Sequence, residues 1–109
     1  MSTLSAYRIM WLYVMFDLPT ETKLDRYNYR KFREFLLDEG YYSNQFSIYY
    51  KPLSGQEGVD KAYEKIRLQI PQYGKIEMLT ITDKQFENIR SFTNRKQNHK
   101  KNENQLQLF

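Results

Sequence analysis

Eight consecutive apolar residues, Ile9-Met10-Trp11-Leu12-Tyr13-Val14-Met15-Phe16, lead directly into Asp17. A run of that length, rich in aromatic and β-branched side chains, predicts a strand buried on both faces. Leu18-Pro19-Thr20 breaks it, because proline has no N–H to give to a ladder. The chain has 109 residues, room for one domain built around such a strand. A domain this small buries roughly 65% of its unfolded surface, so its stability is modest unless it oligomerises. The C-terminal end of a buried strand is a common place for chemistry. Asp17 is therefore the candidate reactive or metal-binding group, and its plainer role is to cap a turn before Pro19.

Thr22 to Glu39 reads as a helix, with Thr20 or Thr22 as its cap, Glu21 and Asp25 at its positive end and Gly40 at C′. Leu24, Tyr29, Phe32, Phe35 and Leu36 share one face; Lys23, Arg26, Arg30 and Arg33 share another, centred roughly 140° away. Tyr41 to Tyr50 reads as extended, with Ser43-Asn44 as a turn or bulge and Lys51-Pro52 and Ser54-Gly55 as its end. A second helix is expected from about Gly58 to Ile70, stopped by Pro71, followed by a strand from Lys75 to Thr82, a turn from Asp83 through Phe86 and a short strand over Ile89 to Thr93. The order strand–helix–strands–helix–strand predicts an α+β sandwich of the ferredoxin-like βαββαβ kind. Residues 1–93 form the domain and 94–104 a polar linker. Residues 105–109, with Leu106, Leu108 and Phe109 alternating with Gln, form a strand expected to dock on its own domain or a partner's sheet edge.

Composition narrows the chemistry. There is no Cys and a single His, His99, which excludes disulfide scaffolds and Cys- or His-based zinc sites and leaves a His-centred triad without support. Ser47 has no nearby general base. Four scattered glycines make no phosphate-binding loop. No apolar run approaches membrane-spanning length and the first seven residues lack a leader pattern, so a cytoplasmic location is expected. The net charge is +4, but residues 1–83 carry 11 basic and 11 acidic side chains and residues 84–109 carry 6 and 2. The Lys23/Arg26/Arg30/Arg33 stripe has the spacing to track phosphates without reading bases; a second basic run spans Arg95 to Lys101. The ten tyrosines suit half-buried sheet and interface positions better than base stacking. One carboxylate binds Mg²⁺ poorly, and a two-fold dimer pairing two Asp17 side chains solves that.

Leu12-Tyr13-Val14-Met15-Phe16-Asp17-Leu18-Pro19-Thr20-Glu21-Thr22, Tyr29-Arg30-Lys31-Phe32-Arg33 with Phe35-Leu36-Leu37 and Gly40, Gln45-Phe46-Ser47-Ile48-Tyr49, and Leu79-Thr80-Ile81-Thr82-Asp83-Lys84-Gln85-Phe86 follow one another in an order and spacing that resembles a CRISPR-associated family. This is the small protein that partners the CRISPR integrase in spacer acquisition, often named as an endoribonuclease, in its type II branch. The resemblance implies a ferredoxin-like homodimer with C-terminal segments exchanged between sheets, into which Leu106, Leu108 and Phe109 fit. It implies that Asp17 matches the family's catalytic, metal-binding aspartate, sharing Mg²⁺ across the dimer in a nuclease acting on RNA or DNA. It also implies a bridging role between integrase dimers, with duplex DNA held by the basic stripe. Many relatives carry a basic residue where this chain has Ser43, so one phosphate-contacting cation is missing. A toxin-like metal-dependent endoribonuclease and a non-catalytic RNA-binding module of the same fold are the alternatives.

Overall fold

A computed structural model describes residues 8–94. Its element order is β1 (Ile9–Asp17), α1 (Lys23–Asp38), β2 (Tyr42–Gln45), β3 (Ile48–Ser54), α2 (Gly55–Arg67), β4 (Lys75–Thr82) and α3 (Asp83–Glu87). The four strands form one antiparallel sheet in the order β2-β3-β1-β4. Each long helix thus crosses between strands separated by a third, which is the ferredoxin-like βαββαβ arrangement. No helix among the described residues is long and apolar enough to cross a membrane.

The core lies on one face of the sheet. Leu12, Val14 and Phe16 of β1 and Tyr49 of β3 are buried there against Phe32 and Leu36 of α1 and Ile66 of α2. Each such side chain contributes about 1.5–3 kcal/mol on burial. Val14 lies opposite Tyr49 on one side and Met78 on the other, and Phe16 lies opposite Ile76. Phe32 meets Phe16 edge-on at 5.1 Å, the arrangement aromatic quadrupoles favour.

The helix starting at Lys23 has a complete capping box. Thr22 Oγ1 accepts from the Asp25 N–H at 3.0 Å, and Asp25 Oδ2 accepts from the Thr22 N–H at 3.1 Å. Gly40 follows its end at φ +92°, a left-handed conformation that favours glycine. Leu24, expected on the packed face, is 66% exposed.

Several expected boundaries move. The stretch from Tyr41 is a hairpin whose tight turn is Phe46-Ser47, while the ladder irregularity falls between Ser43 and Gln45. Strand β3 runs through Lys51-Pro52 and ends at Ser54, where the second expected stop, Ser54-Gly55, begins. The Phe16 N–H donates to the Ser47 carbonyl at 3.0 Å, and bonded pairs alternate along an antiparallel ladder. Trp11 and Pro52 are therefore a non-bonded pair, and the missing proline N–H faces the side where β2 has already ended. The second helix begins at Gly55, three residues early, with Ser54 at its N-cap, and ends at Arg67. Residues 89–93 form no strand, and Phe92 is 94% exposed. The linker beyond Asn94 and the segment carrying Leu106, Leu108 and Phe109 lie outside the described residues.

Candidate functional site

The other face of the sheet carries no long helix. Side chains alternate along a strand, so Trp11, Tyr13, Met15 and Asp17 point away from the core. The expectation that β1 is buried on both faces is corrected here: the second face is only half-covered within one chain. Register places Tyr50 and Ile48 beside Tyr13 and Met15, and Ile81, Leu79 and Glu77 on the opposite flank. Tyr50 stacks on Tyr13 at 5.3 Å and meets Trp11 at 6.0 Å and Tyr42 at 5.5 Å. Among the described residues, the one helix over this face is α3. Its Phe86 stacks on Trp11 at 3.7 Å, and the Trp11 indole N–H donates to Asp83 Oδ1 at 2.7 Å. A Thr82/Gln85 capping box fixes that short helix. Burial and the neighbouring Tyr50 raise the Tyr13 pKa above its ordinary value, so this hydroxyl stays neutral.

Asp17 ends this aromatic face. It is exposed, lies opposite Lys75 of β4, and has no ion-pair partner among the described residues. Its backbone is fixed from both sides. Phe16 is tied to Ser47 by the bond given above, and Gly74, at φ +107°, lies so close that a Cβ there would sit 2.9 Å from the Asp17 carbonyl oxygen and 2.6 Å from Leu18 Cδ2. No cluster of three His, Cys, Asp or Glu able to share a metal occurs among the described residues. One chain therefore offers Mg²⁺ a single carboxylate, and the donor set fits the ion only when a second Asp17 and substrate phosphates join it.

The basic stripe belongs to the opposite layer, joined to Asp17 through residues 18–22. Its four members differ. Lys23, Arg26 and Arg30 are exposed, whereas Arg33 is half-buried with its Nε enclosed and lacking a hydrogen-bond partner. Arg26 Nη1 donates to the Thr20 and Glu21 carbonyls at 3.1 and 3.0 Å, so it holds the loop that leads from Asp17 into α1. Arg30 stands over the Tyr27 ring at 5.4 Å and pairs with Glu34 at 3.8 Å. An exposed pair of this kind is worth at most about 1 kcal/mol and yields readily to a phosphate. The structure thus does not merge Asp17 and the stripe into one site; it keeps a carboxylate edge and a cationic helix on separate faces.

The sequence model of the family described as CRISPR associated protein Cas2 matches residues 10–89 of this chain. The chain belongs to the Cas2 family. The Cas2 match covers β1 through α3. Relatives named CRISPR-associated endoribonuclease Cas2 include one from Flavobacterium psychrophilum, 41% identical over 97% of this chain and 93% of the relative. Another, from Paracidovorax avenae, is 40% identical over 97% and 99%, and one from Streptococcus mutans is 43% identical over 71% of each. Against this Cas2 background, three features escape a reading by residue type. They are the Trp11–Asp83 bond, the position of Lys75 opposite Asp17 and the division of the tyrosines. Tyr41 and Tyr49 are core residues, while Tyr13, Tyr42 and Tyr50 pave the open face. Period-two alternation from Asp17 back to Trp11 carries the last of these in the sequence.

Proposed function

We propose that this Cas2-family chain is a homodimeric subunit of CRISPR spacer acquisition that binds duplex DNA and bridges integrase dimers, and that the same dimer carries a metal-dependent nuclease site. The observation that carries this reading is the separation of Asp17, at the end of an uncovered aromatic face, from the cationic side of α1 on the other layer. An aromatic sheet face of this kind suits a second copy, since wide half-exposed apolar surfaces mark interaction sites. A two-fold axis across it brings two Asp17 carboxylates to one edge. The C-terminal segment, with Leu106, Leu108 and Phe109, adds to the partner's sheet edge.

In that dimer the two Asp17 side chains would hold Mg²⁺, which when bound would supply an activated water and charge to offset the phosphate. The chain's own part is to set the geometry. Gly74 and Ser47 hold the Asp17 backbone from its two neighbours, and Lys75 places a cation beside the phosphate path. Lys23, Arg26 and Arg30 meet the duplex backbone, and binding there is set by charge and shape.

Because the two surfaces are separate, Asp17→Ala is expected to abolish Mg²⁺-dependent cleavage of a labelled RNA while leaving the dimer and spacer insertion intact. Loss of insertion by an intact Asp17→Ala dimer contradicts the division. Cleavage that persists in EDTA contradicts the metal site.

A further inference from the structure

A cleft of about 170 Å³ opens between the C-terminal end of α1, the middle of α2 and β3. It belongs neither to the Asp17 edge nor to the stripe. Its walls are Phe35, Leu53, Ala62 and Ile66. Gly58 leaves one side of its mouth without a side chain, and a Cβ built there makes ordinary contact with Leu53 at 3.5 Å. A hollow of about 150 Å³ lined by aliphatic and aromatic groups holds a benzene ring, so this one has room for a single large apolar side chain.

The rim is cationic. Lys51, Lys61 and Lys65 surround the hollow, with Glu39 as the single carboxylate. Lys65 neutralises Glu39 at 3.2 Å. Lys51 is held in place: its Nζ donates to the Glu39 carbonyl and stands 5.2 Å from the Tyr41 ring centre. The Tyr41 hydroxyl carries no charge at neutral pH, since burial first and Glu39 second push its pKa up to about 12. Three ammonium groups against one carboxylate leave the mouth with an excess of positive charge around an apolar floor.

From this combination we infer that the cleft is a protein-docking site that receives one Phe- or Leu-sized side chain from an acidic partner segment. Charge complementarity sets the flanking residues as Asp or Glu, and the size of the hollow sets a single anchor. Duplex nucleic acid is the weaker occupant. A double helix is too wide to enter the hollow, and apolar walls gain nothing from a phosphate backbone.

The test uses the full-length protein, isotope-labelled for NMR. Its probes are an acidic peptide with one central Phe, the same peptide with Ala in that place, a basic peptide with the Phe, and a short DNA duplex. The acidic Phe peptide is expected to shift the Phe35, Ala62 and Ile66 resonances, and the Ala and basic peptides to bind at least about tenfold more weakly. Gly58→Met, which plugs the mouth, and Lys61→Glu, an exposed change that leaves the core untouched, each weaken the acidic peptide by about tenfold. Peptide binding that ignores the Phe or the sign of the flanking charge overturns the inference. So does unchanged affinity in Lys61→Glu, absence of any shift, or a DNA duplex that moves the same resonances more strongly than the peptide.

Discussion

Strand β1 presents two faces that differ in every other residue. Leu12, Val14 and Phe16 point into a core sealed by α1 and α2, where essentially nothing remains exposed. Trp11, Tyr13, Met15 and Asp17 point to a face covered, among the described residues, by a five-residue helix that supplies Phe86 and Asp83. The first face has aliphatic and aromatic side chains packed from every side; the second has aromatics with polar tips and ends in a carboxylate. Uniform hydrophobicity along a strand therefore does not mean uniform burial. Here one face is packed within the chain, and the other is half-exposed among the described residues.

The largest expected effect separates the two faces by stability. Phe32→Ala removes a ring packed on Phe16 and is expected to cost about 3–5 kcal/mol in chemical denaturation. Leu79→Glu, on the open face opposite Tyr13, is expected to change monomer stability by no more than about 0.5 kcal/mol. In sedimentation, however, it converts the dimer to monomer. A Leu79→Glu variant that stays dimeric breaks the assignment of the open face.

A smaller effect comes from alkaline pH and belongs to the packed side. Burial and the Glu39 charge raise the Tyr41 pKa from 10.0 to about 12. A raised tyrosine pKa means that the folded state disfavours the phenolate. The stability it carries is fully present below the unfolded value near pH 10 and is lost as pH rises toward 12. A shift of about two units corresponds to about 2–3 kcal/mol. Tyr41→Phe should flatten the pH dependence of stability in that window, and an unchanged profile would remove Tyr41 as its cause.

The smallest effect concerns the helix stripe. Lys23→Ala and Arg30→Ala together are expected to lower the salt dependence of duplex binding by about two units of slope for each protomer that meets the duplex, read from affinities across a salt series. Arg33→Ala, at a half-buried position, should change that slope far less than either.

Much of this arrangement is legible in the sequence, and the parts that are not have physical causes. The boundaries of β1 and β4 follow from apolar runs and alternation, and α1 follows from Thr22, Asp25 and Gly40. The hairpin turn is hidden because Phe46-Ser47 carries no Gly, Asn or Pro, while Ser43-Asn44, read as a turn or bulge, is the bulge-like register shift in the β2–β3 ladder. The start of α2 is masked because Gly55, at φ +69°, reads as a breaker although the helix begins on it, and Ser54 at the N-cap position makes no side-chain capping bond. The place of Asp17 at the end of β1 follows from its position after Phe16. What covers the open face is invisible to periodicity, since an apolar run has the same pattern whether a helix or a second chain lies over it. Arg33 illustrates a similar limit. At 100° per residue it falls on the flank of the cationic face nearest Phe32 and Leu36, and only packing decides that it turns inward.

The claim that the open face joins two Asp17 residues into one site is tested most directly by mixing subunits. Wild-type and Asp17→Asn chains are unfolded together in equal amounts, refolded so that dimers form at random, and assayed for Mg²⁺-dependent RNA cleavage. If one site needs both carboxylates, only wild-type pairs are active and the mixture retains about one quarter of the wild-type rate. A mixture that retains about one half would show that each chain works alone, and would contradict the shared site.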